Sequence, residues 1–262
     1  MSEWNIERAA EVLLAAERDG VARGPLTEEW PDLDLRTAYA VQDEALRRRR
    51  ARGERPVGVK LGLTAKAKQR EMGVDRPVLA WLTDAMALPS GTPLPRAGLI
   101  RPRAEPEIVF LMGRRLAGPG VTAATALAAV DAVYGGIEIL DSRYSSHSGS
   151  RPALPDTVAD NASMGRFVLG PVAAPPAGLD LTLQGCLLEL DGSVVDSATG
   201  AAKGHPAEGL AMAANILAER GLALEPGWLV LTGGLTDTVQ IEPGARVAAH
   251  FASLGSLTVS GG

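Results

Sequence analysis

Ala104-Glu105-Pro106-Glu107-Ile108-Val109-Phe110 sets two carboxylates into a run that otherwise reads as the interior of a sheet. The β-branched and aromatic residues over 104–112 favour a strand, where residues two apart project from the same face. Glu105 and Glu107 therefore point together, with α-carbons about 6–7 Å apart. Their face continues through Val109 and Leu111 as a core face. Two like charges on such a face repel and lose hydration unless a cation neutralises them. A third acid, Glu138, stands in Gly135-Gly136-Ile137-Glu138-Ile139-Leu140, flanked by apolar residues that leave it in need of a partner. Three carboxylates make a hard oxygen site suited to Mg2+ or Mn2+, with coordination positions left for water or a ligand. The plainer alternative is two exposed acids on an edge strand plus an ordinary surface glutamate, and an E-x-E pair alone does not separate the two.

Outward from this strand, the chain begins helical and becomes mainly β. Residues 3–19 place Trp4, Ile6, Ala9, Ala10, Val12, Leu13 and Ala16 at helical spacing, with Gly20 as the stop. A second helix follows Asp34. Residues 57–63 alternate like a strand, and Thr64 is positioned to cap a short helix over 65–72. The stretch 73–99 is rich in Pro and Gly with little periodicity, which predicts a long loop and makes it a lid candidate. Beyond it, Thr122 is expected to cap a helix running to about Tyr134, followed by a strand over 136–141. A helix is expected from Pro206 to Gly221, and strands over 228–231 and 246–251. Each of those strands follows a Glu-Pro-Gly turn, at 225–227 and 242–244. The expected organisation is α+β: an N-terminal helical region, 1–55, and a catalytic body, 56–262, that would hold the metal and carry the lid candidate.

Composition excludes several classes. The 262 residues are 46% hydrophobic with net charge −5, enough for a sizeable core and unlike a disordered chain. No basic face is interleaved with aromatics, so no nucleic-acid partner is expected. Arg47 to Arg50 read as a solvated helix end that suits the negative end of the helix dipole. Cys186 is the only cysteine, which rules out an intrachain disulfide and a CxxC zinc site. No apolar stretch approaches the roughly 20 residues of a membrane span, and the N-terminus lacks a basic region followed by an apolar run. The expectation is a soluble, cytoplasmic protein without a membrane partner, in which the sequon Asn161-Ala162-Ser163 is a chance match.

Taken together and in order, several stretches resemble the fumarylacetoacetate hydrolase superfamily, in its branch of 2-oxopent-4-enoate hydratases and 4-oxalocrotonate (2-oxo-3-hexenedioate) decarboxylases. They are Gly58-Val59-Lys60-Leu61-Gly62-Leu63-Thr64, Arg103-Ala104-Glu105-Pro106-Glu107, Glu138-Ile139-Leu140-Asp141-Ser142-Arg143, Ala159-Asp160-Asn161-Ala162-Ser163, Gly204-His205-Pro206 and Leu231-Thr232-Gly233-Gly234. The resemblance runs from about residue 30 to the C-terminus and implies a fumarylacetoacetase-like body of mixed sheets. It implies that Glu105, Glu107 and Glu138 hold a divalent ion, Mg2+ or Mn2+, which takes the 1-carboxylate and 2-keto oxygens of a small 2-oxo acid. Lys60 matches the family's active-site lysine; read by itself it would be an ordinary exposed strand lysine. Thr232 and Gly233 match a turn that approaches the substrate carboxylate, although a plain tight turn explains the same residues.

The resemblance also bears on the reaction. Similar hydratases carry an acid where this chain has Val78, within Arg76-Pro77-Val78-Leu79-Ala80-Trp81. Adding water to a double bond benefits from a base, whereas decarboxylation needs no water and gains from an apolar wall. A metal-dependent decarboxylase of a 2-oxo-3-enedioate is therefore expected, with Lys60 catalytic and Val78 against substrate. A hydratase and an acylpyruvate carbon–carbon hydrolase are the alternatives. The hydrolase needs an activated water, typically from a His–Glu pair, and His147, His205 and His250 all follow the E-x-E strand. Family decarboxylases can associate with their hydratase, so a hydratase partner is expected by resemblance, while the residues leave a homo-oligomer open. Ala80-Trp81 replaces a glycine usual in the family.

Overall fold

The structure, a computed structural model, describes residues 4–145, 151–202 and 204–262. Its helices are α1 (Ile6–Asp19), α2 (Leu26–Glu29), α3 (Leu35–Ala51), α4 (Lys66–Glu71), α5 (Ala123–Leu127), α6 (Leu154–Ala159) and α7 (Pro206–Glu219). Its strands are β1 (Pro56–Gly62), β2 (Val78–Thr83), β3 (Ala87–Leu88), β4 (Pro93–Leu94), β5 (Arg103–Met112), β6 (Val130–Leu140) and β7 (Met164–Leu169). They continue with β8 (Gly185–Leu190), β9 (Ser193–Thr199), β10 (Leu229–Leu231), β11 (Val239–Gln240), β12 (Arg246–Phe251) and β13 (Gly255–Gly261). The larger sheet has the order β2-β1-β10-β5-β6-β7-β3, with β11 also pairing β5; the smaller runs β4-β13-β12-β8-β9. Both mix parallel and antiparallel pairs, as the expected α+β body requires.

The N-terminal helices form where local signals demand them. Asn5 caps α1 by accepting the Arg8 N–H at 2.9 Å, and Gly20 closes it in the left-handed region. Asp34 caps α3 through the Thr37 N–H at 2.7 Å. The pair does not form a separate core. Ala9, Ala10 and Leu13 of α1 and Ala38 and Val41 of α3 are buried in one cluster with Val78, Ala80 and Leu82 of β2. The boundary near residue 55 therefore marks a change of secondary structure within a shared hydrophobic interior. At the end of α3, Arg47 and Arg48 grip Glu44, while Arg49 pairs with the half-buried Glu17 of α1.

Two sequence expectations need correction. The stretch 73–99 is not a long loop: β2 is buried along its whole length, and β3 and β4 add short pairings to both sheets. Leu79 and Trp81 enter the main core beside Val59, Leu61 and Leu210, while the intervening residues face the helices. A strand covered on both faces shows no alternation, which hides it from a period-two search. The expected helix from Thr122 to about Tyr134 also fails, since α5 ends at Leu127 and Val130 to Tyr134 open β6. The alanine-rich sequence favours helix, but pairing with β5 overrides that preference.

β5 is the spine of the larger sheet. Its inner half pairs with β10 and its outer end with β11, leaving a gap between them at Pro106. Leu235 N–H donates to the Pro106 carbonyl there at 2.8 Å. A residue's N and O lie on the same side of a strand, so the missing proline N–H faces that gap and costs no ladder bond. The turn leaving β10 is stitched along β5: the Thr232 hydroxyl donates to the Ile108 carbonyl at 2.9 Å, and Gly233 N–H donates to Glu107 Oε2 at 2.7 Å.

Candidate active site

Antiparallel register places Glu105 directly opposite Glu138, and Glu107 follows two residues along β5. One carboxylate oxygen from each of the three lies within 4.8 Å of the others. Glu107 and Glu138 are fully buried. Glu107 Oε1 and both oxygens of Glu138 have no hydrogen-bond partner among the described residues. Burial, then the Glu138 and Glu105 charges, push the Glu107 carboxyl well above the usual carboxylate range. Buried oxygens of like charge, unsatisfied and converging, are the arrangement a hard divalent cation would neutralise. The donor set fits Mg2+ or Mn2+, which prefer carboxylate oxygens and keep water or ligand positions.

Lys60, on β1, places Nζ 2.7 Å from Glu138 Oε1. The contact is a close charge pair without hydrogen-bond alignment, which is why that oxygen stays unsatisfied as an acceptor. In sheet order β1 and β6 are separated by β10 and β5. Three strand spacings span about 14 Å in a flat sheet, so the contact requires the sheet to curl around the site.

The far edge of that curl is held by an unusual turn. Asn161, Ala162 and Ser163 have φ of 51°, 47° and 60°, all left-handed and none glycine. Such a conformation costs about 1–2 kcal/mol per L-residue. The Asn161 amide offsets part of this by bonding both backbone groups of Trp81 on β2, accepting N–H at 2.8 Å and donating to C=O at 2.9 Å. This engagement gives the sequon asparagine a structural task. Asp141 N–H donates to the Ser163 carbonyl at 2.7 Å, and buried Arg143 pairs with Asp160 just before the turn. Burial pushes the Asp160 carboxyl up to about 6, against the pull of Arg143.

A cavity of about 620 Å³ reaches Lys60, Glu105, Gly233 and Gly234, with Ala162 and Ser163 on one wall and Arg103, Asp237 and Thr238 among its other lining residues. Gly234 is required by packing: a Cβ there would fall 2.1 Å from Glu105 Oε2. The structure thus brings together Lys60, Glu105, Glu107, Glu138 and Gly233. Two other expected contacts lie elsewhere. Thr232 turns its hydroxyl to Ile108 and its Cβ toward Gly209 of α7, away from the cavity. Val78 is 3% exposed and packs in the core behind Gly62, close to Lys60 but not on the cavity surface.

The remaining candidates fall away on geometry. His205 Nδ1 accepts the Ala207 N–H at 3.0 Å and caps α7, as its place before Pro206 suggests. His250 lies in the smaller sheet with Ser256 and Glu189, and His147 lies outside the described residues. Cys186 is buried in β8, where burial pushes its thiol up to about 12. No described helix is long and apolar enough to cross a membrane.

No family model matches the chain, but individual proteins do. It is 41% identical over 234 residues to the 4-oxalocrotonate decarboxylase of Pseudomonas sp. strain CF600, covering 89% of this chain and 88% of that one. It is 37% identical over 258 residues to the 2-keto-4-pentenoate hydratase of Paraburkholderia xenovorans, covering 98% and 95%. Among solved structures, the 4-oxalocrotonate decarboxylase from Pseudomonas putida G7 complexed with magnesium and adipate superposes with a TM-score of 0.93 at 37% identity, covering 97% of this chain and 96% of that one. The fumarylpyruvate hydrolase from Pseudomonas aeruginosa, at 21% identity and a TM-score of 0.57, shares the fold. The chain belongs to the fumarylacetoacetate hydrolase superfamily, in the branch that contains 4-oxalocrotonate decarboxylases and 2-keto-4-pentenoate hydratases. It is an enzyme of that branch.

Proposed function

We propose that the protein is a divalent-metal-dependent decarboxylase of a 2-oxo-3-enedioate such as 2-oxo-3-hexenedioate. The observation that carries this is the buried Glu105–Glu107–Glu138 cluster with Lys60 against it, at the base of a cavity whose described lining holds no histidine. The three glutamates would hold Mg2+ or Mn2+, and a bound ion supplies Lewis-acid stabilisation of negative charge developing on a substrate keto oxygen. The relatives named as decarboxylases, and the one solved with magnesium and adipate, support the same reading.

In this scheme the bond between C5 and the distal carboxylate breaks and CO2 leaves. The electron pair passes through the conjugated alkene to the keto oxygen, giving a dienolate and, on protonation, a 2-hydroxy-2,4-dienoate. The Lys60 ammonium, fixed by Glu138, adds positive charge beside that oxygen and stands ready to hold or deliver its proton. Gly233 N–H orients Glu107, and Gly234 lets Glu105 approach. Val78 keeps the layer behind Gly62 apolar and dry, with no carboxylate there to position an attacking water.

The test is the identity of the product. Mass spectrometry of a reaction with 2-oxo-3-hexenedioate and Mg2+ is expected to find a five-carbon hydroxydienoate and an equivalent of CO2. A hydrated six-carbon acid, or consumption of a supplied hydroxydienoate without CO2, would establish the hydratase reading instead.

A further inference from the structure

We propose that Arg103 determines specificity by binding the distal carboxylate of a six-carbon 2-oxo-dicarboxylate, an inference that rests on the function proposed above. Among the described lining residues, the cations are Lys60 and Arg103. Lys60 is 2% exposed and committed to Glu138. Arg103 is exposed at the outer end of β5, and its guanidinium has no hydrogen bond or ion pair among the described residues. It is the cation left to meet an anion entering from solvent.

The spacing matches the ligand. Arg103, Glu105 and Glu107 alternate onto one face of β5, each step along that face spanning about 6–7 Å. A six-carbon diacid has five carbon–carbon bonds of about 1.5 Å, which in an extended zig-zag hold its carboxyl carbons about 6 Å apart. With the 2-oxo acid end at the glutamate cluster, the other end falls at the level of Arg103. Leu140 stands opposite Arg103 on β6 and also lines the cavity, giving the carbon chain an apolar neighbour. Asp237, also among the lining residues, would repel a second carboxylate and favour the guanidinium as its partner. A planar guanidinium suits a carboxylate through paired hydrogen bonds.

This role has a kinetic signature. The carboxylate that Arg103 holds is the group that departs, so its charge is strongest in the ground state and is lost as CO2 forms. An interaction of that kind lowers KM without raising kcat.

The experiment is calorimetric binding, in saturating Mg2+, of 2-oxoadipate and 2-oxohexanoate, which share the 1-carboxylate and 2-keto group and differ in the distal carboxylate. Wild type is expected to prefer 2-oxoadipate by about tenfold, a charged hydrogen-bond pair's share. Arg103→Gln should erase the preference and leave 2-oxohexanoate binding unchanged, and Arg103→Lys should retain part of it. In turnover, Arg103→Gln should raise KM with kcat undiminished. Equal affinity of wild type for both acids, a preference surviving in Arg103→Gln, or a fall in kcat at constant KM would overturn the inference while leaving the metal site intact. Binding of neither acid would overturn the 2-oxo acid reading and the inference with it.

Discussion

Lys60 Nζ lies 2.7 Å from Glu138 Oε1, and the two side chains are 2% and 0% exposed. The pair joins β1 to β6 across the curled sheet and sets a positive charge against the carboxylate cluster. Removing one member of a buried pair leaves the other uncompensated, at a cost of about 3–5 kcal/mol. Lys60→Met should therefore lower turnover by about 10²–10⁴-fold and also destabilise the metal-free protein. Mg2+ should restore more stability to the variant than to wild type. Thermal unfolding with and without Mg2+ measures this, and equal metal-induced shifts in the two proteins would remove Lys60 from the site's charge balance.

Glu107 gives the site a pH dependence. Burial and its carboxylate neighbours raise its folded-state pKa, so between the ordinary glutamate value and the raised one the native metal-free protein binds more protons than the unfolded chain. Stability of the metal-free protein should fall as pH rises through that window. Mg2+ must displace the proton, so its affinity should weaken as pH is lowered, and binding should release a proton. Titration of Mg2+ in two buffers of different ionisation enthalpy reads that release directly. Identical heats in both buffers would contradict it.

Gly234 tests how closely Glu105 is held. A methyl there would sit 2.3 Å from the Glu105 carboxyl carbon, so Gly234→Ala must displace the carboxylate. Metal affinity should fall by about 10–100-fold while the circular dichroism spectrum stays that of wild type. Unchanged affinity would mean that Glu105 is not a ligand.

Asn161 carries a different load. Its amide joins the left-handed turn to β2 through two hydrogen bonds. Asn161→Ala should destabilise the protein by about 1–3 kcal/mol and raise KM more than it lowers kcat, because Ala162 and Ser163 would lose their fixed place on the cavity wall. Denaturant unfolding and steady-state kinetics check both parts; wild-type values in both would show that the turn holds itself.

The carboxylate cluster was legible in the sequence because charge inside apolar strands is costly, which draws Glu105, Glu107 and Glu138 together. The helix ends at Gly20, Asp34 and Pro206 were legible because stop and start signals act locally. β2 was hidden by its burial on both faces, and the start of β6 by an alanine-rich composition that favours helix until β5 pairs with it. The contact between Lys60 and Glu138 depends on sheet curvature, and the Asn161 clamp on a turn that propensity disfavours. Neither has a signal in local spacing. Thr232 and Val78 lie close in sequence or space to the cavity-lining residues yet face other neighbours, a distinction of side-chain direction that motif matching does not carry.

The most direct test of the central claim is CO2 release from 2-oxo-3-hexenedioate by the purified protein with Mg2+, with EDTA, and in the Glu107→Gln variant. Release that requires Mg2+, stops with EDTA and falls by at least about 10³-fold in the variant is the expected result. CO2 release undiminished by EDTA or by Glu107→Gln would contradict the assignment of this carboxylate cluster as the catalytic centre.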